Sequence, residues 1–158
     1  MNILRMCPIL KREFMREALI EAQKAYSIGE VPIGSVVVYN DKIIGRGHNL
    51  RETRKDPTLH AEIMAIQMAS RALGGWRLID CDIYVTVEPC PMCAGAMVQG
   101  RLRRLIFGAS DPKSGCAGSI YNLVDDNRFN HRLEIVSGIM ESECRDLMKS
   151  FFKARRYK

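Results

Sequence analysis

Residues 82–99 constrain the fold more than any other stretch of this chain. Asp82 to Val87 is a run of β-branched and aromatic residues and reads as a strand. Pro89-Cys90-Pro91 directly after it starts a helix running to about Gln99, because proline fits a first helical turn but cannot sit inside a strand ladder. A strand feeding straight into a helix is the unit from which α/β folds are built.

The remaining segments extend that pattern. From Lys11 to Ile28, the residues Phe14, Met15, Ala18, Leu19, Ala22, Ala25 and Tyr26 share one helical stripe, and Gly29 is a natural stop. Ile33 to Tyr39 is rich in valine, Asn40-Asp41 offers a tight turn, and Lys42 to His48 continues as a second strand, a hairpin with Asn49 at its end. Asp56-Pro57-Thr58 is a helix-start signal and Leu59 through Leu73 keep helical spacing, which puts His60 and Glu62 in a first turn. Cys90 and Cys93 occupy the opening turn of the later helix. Arg104 to Phe107 predicts a short buried strand, Ser110 to Asn130 a mostly irregular stretch, and Leu133 to Val136 one more strand. Residues 141–156 predict a last, basic helix, with Cys144, Leu147, Met148, Phe151 and Phe152 on an apolar stripe opposite Arg145, Lys149, Lys153 and Arg156. An initial hairpin followed by alternating strands and helices implies an α/β fold, a mixed sheet with helices on both faces.

With 158 residues, 47% hydrophobic and 27% charged, the chain has the size and composition of one globular domain spanning 1–158, its first ten residues forming an extension beyond the motif-bearing part. It shows no internal repeat and no low-complexity segment. No apolar run approaches the roughly 20 residues of a membrane helix, and Met1 to Pro8 lack the apolar core of a secretory signal, so a cytoplasmic location without membrane association is expected. Cysteines at positions 7, 81, 90, 93, 116 and 144 are too sparse and irregular for a disulfide scaffold, and their clustering suggests metal or redox chemistry. The formal charge of +6 is concentrated at one end, since residues 145–158 carry six basic side chains against Asp146 alone. Such a run is either a solvated face or a contact for an anionic partner.

The chemistry gathers at two helix starts. Cys90-Pro91-Met92-Cys93 puts two sulfurs on one helix face, close enough to share a tetrahedral ion, but a C-x-x-C opening a helix after a strand describes a redox site equally well. His60-Ala61-Glu62 decides between them by adding a nitrogen ligand and a carboxylate from a second helix start. Three ligands leave one position open, the arrangement of a catalytic zinc. Glu62 can then lie beside the reacting water and move its proton without binding the metal. H-x-E followed at a distance by P-C-x-x-C is the signature of zinc-dependent base deaminases. A structural zinc would need a fourth protein ligand, with Cys81, Cys116 or Cys144 as candidates, none of them in paired spacing. His48 and His131 carry no such pattern and read as structural or surface histidines.

The resemblance to a known family rests on Gly29-Glu30-Val31-Pro32-Ile33-Gly34, His48-Asn49, Asp56 to Ala65, Tyr84 to Met97, Phe107-Gly108-Ala109 and Asn130-His131. From about Phe14 to Arg156 the chain resembles the bacterial tRNA-specific adenosine deaminases of the cytidine/deoxycytidylate deaminase superfamily. Ser35 stands where the family's alanine is expected. The resemblance implies a three-layer α/β/α cytidine-deaminase-like fold with a five-stranded sheet, a homodimer, and one Zn2+ per subunit held by His60, Cys90 and Cys93. It implies a hydrolase that converts adenosine to inosine at the wobble position of a tRNA anticodon stem-loop, with Glu62 as the catalytic proton carrier. By the same resemblance Asn49 and the Ala61 N–H face the base, Ile33 lines its pocket, Asp111 and Lys113 touch neighbouring nucleotides, and Phe152, Arg155 and Arg156 add stacking or phosphate contacts. Asn49 also has a reading as a turn former, and Phe151 and Phe152 fit the apolar stripe as core.

Two alternatives stay open at this level. The His60-Ala61-Glu62 and Pro89 to Cys93 segments are shared with deaminases of free guanine or cytosine, so they specify the reaction and not the substrate. A noncatalytic RNA-binding module with a structural zinc would explain the basic end but leave Glu62 without a role.

Overall fold

The computed structural model describes the main chain of residues 8–156. Along them run helix α1 (Pro8–Ser27), strands β1 (Gly34–Tyr39) and β2 (Lys42–His48), the short helix α2 (Arg51–Arg54), helix α3 (Ala61–Leu73), strand β3 (Asp82–Val87), helix α4 (Pro91–Gln99), strands β4 (Arg104–Ala109) and β5 (Glu134–Val136), and helix α5 (Glu141–Arg156). Residues 1–7 of the expected extension, Cys7 among them, lie outside the described residues, and Pro8 to Leu10 belong to α1, which therefore starts before Lys11. No helix among the described residues is long and apolar enough to cross a membrane.

The five strands form one sheet in the order β2-β1-β3-β4-β5. β1 pairs antiparallel with β2 and β3, while β3–β4 and β4–β5 are parallel, so the sheet is mixed as expected. The hairpin turns at Asn40 (φ 48°) and Asp41 (φ 60°), the left-handed pair that matches the twist of two flanking strands.

Strand alternation sorts the core into two layers. Val37, Ile83, Val85, Leu105 and Phe107 point to one face, where Ala65 and Ala69 of α3 and Cys93, Ala94, Met97 and Val98 of α4 cover them. Val36, Val38, Tyr84 and Ile106 point to the other, against Phe14, Met15 and Ala18 of α1 and Cys144 of α5. Ser35 is buried in this sheet without an orphan hydroxyl, because its Oγ donates to the Tyr84 carbonyl at 2.8 Å. Glycine allows the closest packing. A Cβ at Gly47 would lie 2.5 Å from the Ala61 carbonyl and one at Gly45 would lie 2.2 Å from that of Ala65, so the main chain of α3 rests directly on β2.

The two parallel strands β3 and β4 set the working end of the molecule. Their carboxyl ends lie together, with Val87 in register with Ala109, and α4 departs from that end. Ligands of open α/β sheets bind at the carboxyl ends of the strands. β1 runs the opposite way, so its first residues arrive at the same edge.

Candidate active site

The metal-binding geometry is built from two helix N-termini. His60 is the residue before α3 (φ −81°, ψ 156°) and Cys90 the residue before α4 (φ −72°, ψ 173°), both extended, and neither side chain caps its own helix. Their side chains turn towards each other instead. Nδ1 of His60 lies 3.5 Å from the Sγ of Cys90 and 3.5 Å from the Sγ of Cys93. A tetrahedral zinc with Zn–N near 2.0–2.1 Å and Zn–S near 2.3 Å requires a nitrogen-to-sulfur edge of about 3.6 Å, so the donor set fits that ion. Among the described residues these three alone form such a cluster. Cys81, Cys116 and Cys144 stand outside it, and burial pushes the Cys81 thiol up to about 11 and that of Cys144 up to about 12, which suits inert core thiols.

The expected helix start at Leu59 is corrected here. Asp56 accepts from the Thr58 N–H at 2.8 Å and the Thr58 hydroxyl at 2.6 Å, a local turn that consumes the capping group, and α3 begins only at Ala61. His60 thus precedes the first turn rather than lying in it, and Glu62 lies inside it.

Electrostatics follow from burial and proximity. The Cys90 thiol is drawn down to about 4, chiefly by the hydrogen bond from Cys93 and against the cost of burial, with His60 adding to the effect. Cys93, donating to Cys90 and buried, is pushed up, and His60 is raised by its hydrogen bond to Cys90. Glu62 is 4% exposed, its Oε2 lies 3.2 Å from the Sγ of Cys93, and burial raises its carboxyl above the usual carboxylate range. It sits beside the cluster without belonging to it. A carboxyl with a raised pKa at such a place can both take and return a proton.

These groups open onto a cavity of about 150 Å³ lined by Ile33, Asn49, Ala61, Glu62, Glu88 and Asp111, among others. Asn49 is buried and already engaged: Nδ2 donates to the Val31 carbonyl at 3.3 Å and Oδ1 accepts from the Arg51 N–H at 3.2 Å. It lines the cavity and forms a turn at once. Ala61 opens α3, where main-chain N–H groups project from the helix end. Arg51, which sequence reasoning missed, also lines the cavity from α2. That four-residue helix has no apolar periodicity, and it is held from outside by Glu30, whose carboxylate accepts from Thr53 N at 2.7 Å, Thr53 Oγ1 at 3.0 Å and Glu52 N at 3.3 Å.

A groove of about 1030 Å³ adjoins the cavity, with Val31, Ile33, Val87, Asp111 and Ser114 common to both. Its far bank is α5, with Arg145, Lys149, Lys153 and Arg156, and its near bank includes Lys113. The two phenylalanines divide. Phe151 is 4% exposed and belongs to the core, whereas Phe152 is 44% exposed and lines the groove, so the core expectation for Phe152 is corrected. Arg155 also lines the groove but spends its guanidinium on the protein: Nη2 donates to the Gly29 carbonyl at 2.6 Å and the group lies over the Phe151 ring at 4.7 Å. The Asp111 carboxylate is spent too, accepting from Lys113 N at 3.0 Å, Ser114 N at 3.3 Å and Ser114 Oγ at 2.6 Å.

Glu88 was not among the sequence candidates. It is buried at the rim of the cavity, and although burial raises its carboxyl, hydrogen bonds from Ser119, Asp111 and Ala117 outweigh that effect and hold it low. Its only sequence signal is a carboxylate between the end of a buried strand and Pro89.

The profile of the MafB19-like deaminase family matches residues 9–156. The tRNA-specific adenosine deaminase of Bacillus subtilis is 52% identical over 145 residues, covering 92% of this chain and 90% of that protein. A solved structure of a tRNA:A34 deaminase, studied for A-to-I editing at the wobble position of transfer RNA, superposes with a TM-score of 0.82 at 44% identity, covering 85% of this chain and 98% of the other. The guanine deaminase of Bacillus subtilis superposes with a TM-score of 0.59 at 38% identity over 62% of this chain and 63% of its own.

Proposed function

Because the chain belongs to the MafB19-like deaminase family, and within it stands among relatives of the tRNA-specific adenosine deaminases, we propose that it hydrolyses adenosine to inosine and ammonia at the wobble position of a tRNA anticodon. The observation that carries this reading is the continuity between a small cavity holding Glu62 and the metal-binding triad and a long basic groove on its rim. A free base needs the cavity alone. A nucleotide within a strand needs the groove as well, and the chain is more identical to the tRNA deaminases than to the guanine deaminase.

His60, Cys90 and Cys93 would hold one zinc ion per chain. Bound there, zinc supplies Lewis-acid activation of water, making it nucleophilic near neutral pH. Glu62 would take one proton from the attacking water and pass it to N1 as the oxygen bonds to C6 of the base. It would then carry the second proton, from the hydroxyl now on C6, to the exocyclic nitrogen, so that the C6–N6 bond breaks, the C6 carbonyl forms and ammonia leaves. Asn49 and the Ala61 N–H orient the base, Ile33 packs against it, and Phe152 stacks on a neighbouring nucleotide while Lys113, Lys153 and Arg156 meet phosphates. Assembly as a homodimer is part of the same reading, supported by the large apolar side chains left exposed at Met68, Leu73, Trp76 and Ile79. A cytoplasmic site of action fits a tRNA substrate.

The deciding experiment compares an anticodon stem-loop carrying adenosine at the wobble position with free guanine, cytosine and adenosine. Inosine in the stem-loop, with negligible ammonia from the free bases, is expected. Fast deamination of guanine and none of the stem-loop would replace the tRNA reading with the free-base one.

A further inference from the structure

The carboxylate of Glu88 has no capacity left for either metal or substrate. Oε1 accepts from the Asp111 N–H at 3.1 Å and from the Ser119 hydroxyl, and Oε2 accepts from the N–H groups of Ala117 and Ser119, both at 3.0 Å. Four donors on two oxygens fill the lone-pair sites of a carboxylate. All four come from residues 111–119, and Glu88 itself is fixed by its N–H, which donates to the Ala109 carbonyl at 2.8 Å. The loop is thus wound around a buried anion at the end of β3. Gly115 shows how tightly, since a Cβ there would lie 2.4 Å from the Glu88 carboxylate and 2.5 Å from the Asp111 carbonyl.

The same loop supplies Asp111 and Ser114 to the cavity wall and Lys113 to the bank of the groove. With the Asp111 side chain turned inward onto Lys113 N and Ser114, the loop's shape rests on that local turn and on the Glu88 anchor beneath it. We propose that Glu88 is a positioning residue for substrate recognition, setting the loop that grips the nucleotides beside the reacting base. The proposal rests on the tRNA reading, because a free base would reach the cavity without needing the loop's outer bank.

The test uses the zinc-loaded full chain and three variants. Glu88→Gln turns one acceptor oxygen into an amide that faces N–H donors. Gly115→Ala displaces the loop while leaving Glu88 intact, and Ser119→Ala removes a single one of the four bonds. Zinc content, kcat and KM on the anticodon stem-loop, and amide hydrogen exchange across 111–119 are measured. Glu88→Gln and Gly115→Ala should raise KM on the order of tenfold with kcat within about threefold and zinc retained, the pattern of lost binding rather than lost chemistry. Exchange at Asp111, Ala117 and Ser119 should speed up in Glu88→Gln, and Ser119→Ala should fall between it and the unchanged protein in KM. A fall in kcat at constant KM, loss of zinc, or unchanged loop exchange in Glu88→Gln would overturn the assignment. Absence of inosine with the unchanged protein overturns the substrate reading and the recognition role with it, whereas unchanged exchange overturns the Glu88 role alone.

Discussion

The Oε2 of Glu62 lies 3.2 Å from the Sγ of Cys93, although the two residues start different helices thirty-one positions apart. The contact exists because α3 and α4 both begin at the same end of the sheet and cover the same face of it. It puts a buried carboxyl against the group of three side chains able to hold a metal ion while leaving it outside that group.

Glu62→Ala should therefore separate metal binding from turnover. Zinc content should stay at one per chain while kcat falls by at least about 10²-fold, the usual contribution of a positioned proton carrier. Elemental analysis alongside single-turnover deamination checks both. Loss of zinc in this variant would make Glu62 a ligand, and near-normal turnover would remove it from proton transfer.

Cys90→Ala and Cys93→Ala should lose zinc and activity together, since two remaining donors cannot hold the ion against competition from solvent. Folding should be impaired more in Cys93→Ala than in Cys90→Ala, because Cys93 is fully buried in the core between α3 and α4 whereas Cys90 is partly exposed. Metal analysis and thermal melts of the two variants test the order. Full zinc occupancy in both would end the ligand assignment.

Where the fold depends on local pattern, it could be read in advance. The bounds of β2 and β3 follow from alternation and β-branched runs, and the triad from spacing at two helix starts. What stayed hidden depends on contacts between distant segments. α2 has only four residues and owes its place to Glu30, and residues 111–119 owe theirs to Glu88. A buried carboxylate accepting main-chain N–H bonds leaves no periodicity behind, because most of its donors are backbone groups that any residue type carries. Phe151 and Phe152 both fit the apolar stripe of α5, and only the approach of Tyr26 from α1, 5.6 Å from the Phe151 ring, decides which one is core. Arg155 likewise looked available for phosphate until its partner Gly29, 126 positions away, was in place.

Stability should fall in acid through Glu21. It is 2% exposed and, against the cost of burial, hydrogen bonds from Lys24, Arg46 and His48 hold its carboxyl below the ordinary 4.5. A group whose pKa is lower folded than unfolded contributes stability that is fully present above the unfolded value and disappears as pH falls through the folded one. Melting temperature should thus decline from about pH 5 downward, and the decline should flatten in Glu21→Gln, which is less stable at neutral pH because Arg46 loses the more buried of its two anionic partners and keeps only Glu17. An identical acid profile for both proteins would contradict this account.

RNA affinity and fold stability should separate along α5. Lys113, Lys153 and Arg156 border the groove, and each phosphate that a cation neutralises in single-stranded RNA releases counterions, adding about 0.7 to the slope of log K against log salt. The variant Lys113→Ala/Lys153→Ala/Arg156→Ala should bind the stem-loop more weakly at low salt with the slope reduced by about 2, while keeping zinc and its melting temperature. Arg155→Ala should do something else. It removes the hydrogen bond to the Gly29 carbonyl, which ties the end of α5 to the turn after α1, and the contact over Phe151 within α5. At an exposed site these are together worth about 1 kcal/mol, or roughly 2–4 °C in melting temperature for a domain of this size. Its salt slope should change little, since its guanidinium is occupied within the protein. A slope lowered by Arg155→Ala as much as by Arg156→Ala, with no change in melting temperature, would move Arg155 from the fold to the RNA.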